Sequence, residues 1–281
     1  MRLRTGERPA LLNWDSYALD GGELEGLKRL RGARQLGGRC TTLLHHGQYQ
    51  MLQIEPPSVP AEELREAVRW RIKEMVDFPV DQAGVDVLRV PAAAPGRPAQ
   101  AFAVAARNDV IGQQVRLFQD AKVDLAVIDV PELALRNVAA LLEEENRGLA
   151  FLSFNADGGT LVFTFQGELY ALRHIEVAAA QLAGSGEAMA AIHERVLLDV
   201  QRSLDNFDRN FSHISLPHLL VAPLPEAEAF VAYLRENLYL PVEVLDLATA
   251  MDLSAVPLLA ETARQSEALL AIGAALRQEA A

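Results

Sequence analysis

Over the first sixty residues the apolar positions come in short runs separated by turn residues, a β-like rhythm interrupted once. Arg2-Leu3-Arg4 and Pro9–Tyr17 read as the arms of a hairpin turning at Thr5-Gly6-Glu7. After a break at Asp20-Gly21-Gly22, Leu24, Leu27, Leu30 and Leu36 mark a short helix, with Lys and Arg gathered toward its C-terminus, where the dipole favours cations. Cys40–Leu44 and Tyr49–Ile54 predict strands around a His46-Gly47 turn, and Pro56-Pro57 ends the unit. The rhythm then changes. Leu64, Ala67, Val68, Ile72 and Met75 or Val76 recur at helical spacing, which predicts an amphipathic helix from Ser58 or Pro60 to a stop at Phe78-Pro79. Glu62, Glu63 and Glu66 occupy its early turns. Strands over Ala83–Val90 and Phe102–Ala106 flank a Pro/Ala/Gly-rich loop at Ala92–Ala99. A helix capped by Asn108 or Asp109 runs to about Ala121, followed by a strand at Leu125–Val130 and a helix from Pro131 to Leu142.

The second half repeats the logic. Leu149–Phe154, Thr160–Phe165 and Glu168–His174 alternate as three strands of an antiparallel meander, with turns at Asp157-Gly158-Gly159 and Gln166-Gly167. Helices over Val177–Leu182 and Glu187–Phe211, a strand at Leu219–Ala222, a helix at Pro225–Glu236, a strand at Val242–Leu245 and a helix at Thr262–Gln278 complete the chain. Two halves of related element order predict a duplicated α/β fold. Periodicity does not fix the strand order.

Composition narrows the function. The 281 residues, half of them hydrophobic and 23% charged, suit one large domain or two modest lobes. The net charge of -12 argues against nucleic acid as a partner, because phosphate binding needs a basic surface, and against anionic lipid. Cys40 is the sole cysteine, so no internal disulfide and no thiolate zinc cluster forms, and a reducing compartment fits. Arg-Leu-Arg-Thr-Gly-Glu-Arg-Pro after Met1 is polar and unlike a signal peptide, and no apolar run approaches the ~20 residues of a membrane-spanning helix. No direct membrane insertion is expected. His45-His46 are adjacent, so their side chains diverge and a solvated turn is the expectation. No GxSxG or HExxH signature occurs.

Several segments together carry a resemblance. They are Val59-Pro60-Ala61-Glu62-Glu63-Leu64-Arg65-Glu66-Ala67-Val68-Arg69-Trp70 with its Phe78-Pro79-Val80 stop, Val104-Ala105-Ala106-Arg107 and Val127-Ile128-Asp129-Val130. Arg202-Ser203-Leu204-Asp205 with Phe207, Leu240–Val244 and Ala271–Arg277 extend it. In order and spacing these resemble the PilM-type proteins of type IV pili, a family related to the cytoplasmic domain of GspL-type secretion proteins. Tyr49–Glu55 and Arg69-Trp70-Arg71-Ile72-Lys73 resemble its MSHA pilus biogenesis (MshI) branch. The resemblance implies an actin-like ATPase (RNase H-like) fold of two lobes, 1–148 and 149–281, with an inserted small α/β subdomain at about 59–125. It implies a cytoplasmic scaffold at the inner membrane. Its partners would be the tail of a PilN-like inner-membrane protein and other pilus assembly proteins.

In such a fold, glycine-rich hairpins bring backbone N–H groups to the phosphates, and an aspartate holds the magnesium shell. By the resemblance, the first hairpin and its strand would precede Arg2, so that strand is expected to be missing, either lost or cut off by a misplaced start. The second hairpin reads Ser153-Phe154-Asn155-Ala156-Asp157-Gly158-Gly159, with Ser153 where the family's aspartate stands and Asn155 at its first glycine. The adenine turn reads Val221-Ala222-Pro223, and Pro223 has no N–H to offer. The expectation is a degenerate site without catalysis and without a cofactor beyond weak ATP and magnesium. An ATP-binding switch and a type II secretion component are the alternatives. For Trp70, flanked by Arg69 and Lys73, two readings stand side by side: a half-buried core tryptophan, or the border of a peptide groove where aromatic and basic residues anchor a partner.

Overall fold

The structure, a computed structural model, describes residues 1–4, 6, 8–17, 19, 21–33, 38–91, 98–183 and 186–277. Thr5 and Glu7 of the expected first turn, Asp20, Leu36, most of the Ala92–Ala99 loop and Gln278 lie outside the described residues. In chain order the elements are β1 (Arg2–Arg4), β2 (Ala10–Asn13), α1 (Glu23–Gly32), β3 (Cys40–Leu43), β4 (Tyr49–Ile54) and α2 (Ala61–Arg71). Next come β5 (Ala83–Arg89), β6 (Ala101–Arg107), α3 (Asn108–Asp120), β7 (Leu125–Asp129) and α4 (Pro131–Ala140). Then follow β8 (Leu149–Phe154), β9 (Gly159–Phe165), β10 (Glu168–Ile175), α5 (Glu187–Asn210), β11 (Leu219–Val221), α6 (Glu228–Asn237), β12 (Val242–Val244), α7 (Leu247–Ala250) and α8 (Thr262–Ala275). They form two compact units, Met1–Asp15 with Pro131–Ala281, and Ser16–Val130.

The first unit is built on a five-stranded sheet of order β10-β9-β8-β11-β12. β8, β9 and β10 are the antiparallel meander read from the alternation, and β11 joins β8 in parallel with Leu219 opposite Ala150. All six residues of β8 are buried, the pattern of a strand covered on both faces. On one face Phe163 of β9 stacks on Phe207 of α5 with centroids 4.7 Å apart, and Phe154 meets Phe230 of α6 edge-on. α4 and α8 pack together so closely that a Cβ on Gly273 would lie 2.0 Å from the Ala134 carbonyl oxygen. Asn137 Nδ2 donates to the Gly273 carbonyl at 2.9 Å across the same contact. Gln265, buried in α8, accepts from the Leu247 N–H and donates to Asp246 and to the Leu259 carbonyl, which ties down the loops before it.

The second unit holds an antiparallel sheet of order β4-β6-β5 and a parallel pair, β3 with β7. α2 buries Leu64 and Val68 against Ala101, Ala103 and Ala105 of β6, where small residues let the helix lie close to the sheet. α1 and α3 pack through Leu24, Leu27, Leu117 and Phe118, and Arg31 donates to the Ala121 carbonyl at 3.0 Å. Cys40 is half-buried in this cluster, where burial pushes its thiol pKa up. Strand pairings bear out the duplication. β1 with β2 is antiparallel like β9 with β10, and β3 with β7 is parallel like β11 with β12. No described strand of the first half takes the counterpart place of β8.

Some boundaries differ from the periodicity. α2 ends at Arg71 rather than Phe78, because Lys73 and Met75 bond three residues back and tighten the last turn. The segment Val177–Leu182 forms a single 3-10 turn, Ala179–Gln181, whose Gln181 side chain accepts from the Ala178 N–H. Arg107 stands at the N-cap of α3; the Asp109 carboxylate pairs with the Arg107 guanidinium rather than capping the helix, and neither Asn108 nor Asp109 is the cap residue. α7 was not read from the sequence; its four residues begin at Leu247, after the N-cap Asp246, whose carboxylate accepts from the Ala248 N–H.

Candidate functional site

In an actin-like fold the phosphate hairpin is useful only if its amides point outward without partners. Here β8 and β9 join through Asn155-Ala156-Asp157-Gly158, with Phe154 opposite Gly159 and Ser153 opposite Thr160. The Asn155 side-chain oxygen accepts the Asp157 N–H at 2.8 Å and the Gly158 N–H at 3.1 Å. The Asn155 N–H donates to the Gly158 carbonyl, and the Asn155 carbonyl accepts from Ala179. The carboxamide thus sits on the two amides where an anion's oxygen would go. Gly158 has φ 147°, and a Cβ there would lie 2.9 Å from the Ile175 carbonyl oxygen; at Gly159 a Cβ would strike the Phe154 ring at 2.4 Å. Both glycines are therefore required by packing. Ser153 is buried, and the exposed Asp157 carboxylate would repel phosphate. The expected adenine turn is equally closed: Ala222 is buried with its N–H on the Leu152 carbonyl at 2.7 Å, and Pro223 has none. Among the described residues no group of three His, Cys, Asp or Glu is placed to hold a metal ion.

The second candidate is the surface of α2. Trp70 is 63% exposed, so the core reading of this residue does not hold. Helical geometry gives the reason, and the signal was present in the sequence. With 3.6 residues per turn, position 70 lies roughly 200° around the helix from the centre of the Leu64, Val68, Ile72 stripe. Arg69 has a different task from its neighbours. Its guanidinium Nη1 donates to the carbonyls of Val80 and Ala83 at 2.9 and 2.7 Å, and Nε lies 3.3 Å from the Glu66 carboxylate. It pins the 3-10 turn Val80–Gln82 against α2. Lys73 Nζ lies 5.8 Å from the centroid of the Trp70 ring, within cation–π range. Glu66, Arg69, Trp70, Lys73, Val80 and Asp81 together line an open depression of about 400 Å³. The structure thus brings Arg69, Trp70 and Lys73 together, with Arg69 as a clamp and the other two presented outward. Sequence reading did not single out Glu66, Val80 or Asp81 as members of this site, and the last is the one whose carboxylate is unpaired among the described residues. Its signal would have been its place just after the Phe78-Pro79 stop, where the chain turns back beside the helix.

No family model matches the chain, and no curated protein matches it. Solved structures do. The chain is similar to a chain of the PilM-PilN type IV pilus biogenesis complex at 19% identity and a TM-score of 0.71, over 98% of this chain and 92% of that one. Looser overlays, at 15% and 10% identity and TM-scores of 0.46 and 0.48, are with the cytoplasmic domain of EpsL from the type II secretion system of Vibrio cholerae and with a Bacteroides thetaiotaomicron protein of actin-like ATPase fold. The first covers 88% of this chain and 82% of that one, the second 90% and 87%. The class is therefore settled: the chain has the actin-like ATPase fold. Within that class the chain of the PilM-PilN complex overlays nearly the whole of it. Among the described residues no helix is long and apolar enough to cross a membrane.

Proposed function

We propose that this chain is a non-catalytic scaffold of a type IV pilus assembly machine, of the MSHA type, that binds the cytoplasmic tail of a PilN-like inner-membrane protein. The observation that carries the reading is the overlay of 98% of the chain on a component of a complex that includes PilN. The closed hairpin supports the non-catalytic part. Binding a triphosphate would require Asn155 to leave two amides that it already satisfies, beside the like charge of Asp157. The exposed Trp70 supports a partner surface on α2, since a large aromatic side chain left in water on a helix otherwise well packed is the kind of anchor that interfaces use. The Tyr49–Glu55 and Arg69–Lys73 segments favour the MSHA branch over a secretion system.

The test is a titration of the chain with a fluorescent N-terminal tail peptide from a PilN-like protein of the same genome, together with calorimetry against magnesium and ATP. Saturable peptide binding without measurable ATP turnover or micromolar ATP affinity is the expected result. Micromolar ATP binding would revive the nucleotide switch, and absence of tail binding would overturn the scaffold reading.

A further inference from the structure

The depression beside α2 has a composition that selects its guest. One wall is the exposed ring of Trp70, and the ring already holds a cation of the same molecule, Lys73. Asp81 also lines it, exposed, and its carboxylate has no ion pair or hydrogen bond among the described residues. Glu66 stands at the rim, shared only with Arg69 Nε at 3.3 Å. Arg69 keeps its charge, but the Glu66 carboxylate 3.3 Å away offsets it, and Nη1 is held by the Val80 and Ala83 carbonyls. An aromatic face flanked by an unpaired carboxylate suits a planar cation, which stacks on the ring and offers two parallel N–H donors to the acid.

We infer that this depression is a receptor for an arginine side chain of the partner's tail, stacked on Trp70 and paired with Asp81. Lys73 is its intramolecular place-holder and swings out when the guest arrives. The inference rests on the tail-binding reading for the source of that arginine: cytoplasmic segments beside a membrane-spanning helix are enriched in Arg and Lys. The acidic chain, at net charge -12, attracts such a segment before contact.

The experiment follows the tryptophan indole N–H signals of the wild-type chain by NMR, with Trp70 assigned through Trp70→Phe. The probes are acetyl-triarginine amide and acetyl-triglutamate amide. Triarginine is expected to shift the Trp70 signal saturably and leave that of the buried Trp14 in place, while triglutamate shifts neither. Asp81→Asn weakens triarginine by about two- to fivefold, the scale of one exposed ion pair. Lys73→Ala strengthens it, because the competing cation is gone. No saturable shift with triarginine, preferential binding of triglutamate, or weakening by Lys73→Ala would overturn the proposal, the last two because they mark an anion site. Adding the PilN-like tail peptide separates the two readings. Triarginine binding with a tail that does not bind leaves the receptor standing and removes the tail reading; a tail that binds without displacing triarginine overturns the link between them.

Discussion

Replacing Gly273 by alanine tests how closely α4 and α8 are packed. An added Cβ would lie 2.0 Å from the Ala134 carbonyl oxygen, 2.5 Å from its carbon and 2.9 Å from Cα. All three are backbone atoms, so no rotamer change relieves the overlap, and α8 must withdraw from α4. Withdrawal also stretches the 2.9 Å bond from Asn137 to the Gly273 carbonyl. Overpacking of this kind costs about 1–3 kcal/mol, and the strained hydrogen bond adds about 1 kcal/mol. Against these stands the gain of about 1 kcal/mol from alanine in a helix interior. The balance is a loss of about 2 kcal/mol, or about 4–8 °C in melting temperature for a chain of this size. Thermal melts followed by circular dichroism at 222 nm, roughly the helix minimum, measure it, and Ala134→Gly is expected not to rescue. An unchanged or raised melting temperature would refute the reasoning, since helix propensity alone predicts a rise.

Three other outcomes are expected. Trp70→Ala leaves the stability within about 0.5 kcal/mol of wild type, as befits an exposed site, yet weakens tail-peptide binding at least about tenfold; loss of stability without loss of binding would return Trp70 to the core. Arg69→Met keeps the packing of the side-chain stem but frees the Val80 and Ala83 carbonyls, so hydrogen exchange speeds up across the turn Val80–Gln82 while the central strand β6 stays protected; unchanged exchange would contradict the clamp. Glu143, held by burial above the ordinary carboxylate range although it accepts from the Gly167 N–H, binds its proton more tightly in the folded chain than in the unfolded one. Its contribution is therefore present at acid pH and lost as pH rises from the unfolded value to the folded one. Glu143→Gln should melt higher than wild type at pH 7, with the difference vanishing in acid; parallel curves at all pH values would contradict this.

The element order was legible because alternation and helical spacing survive in most segments, from the meander of Leu149–His174 to the α2 stripe. Strand order was not, since nothing local says that β11 slides in beside β8. The hairpin after β8 was legible as a turn, with Ser153 and Asn155 where the resemblance expects Asp and Gly. What Asn155 does there was not, because capping its own turn depends on backbone geometry that composition does not encode. Arg69 shows the same limit. Its neighbours suggest a basic surface, yet the carbonyls of Val80 and Ala83, eleven and fourteen residues on, turn it into a clamp. Trp70 was the opposite case, where the helical period pointed outward and hydrophobicity pulled the reading inward.

The central claim is that a chain with an actin-like fold serves as a tail-binding scaffold and does so without nucleotide. Fluorescence anisotropy of a labelled PilN-like tail peptide, titrated with the chain in the absence and in the presence of millimolar magnesium and ATP, tests it most directly. The account predicts one saturable curve, the same under both conditions. A curve that appears, vanishes or shifts with ATP would contradict it, as would no binding under either.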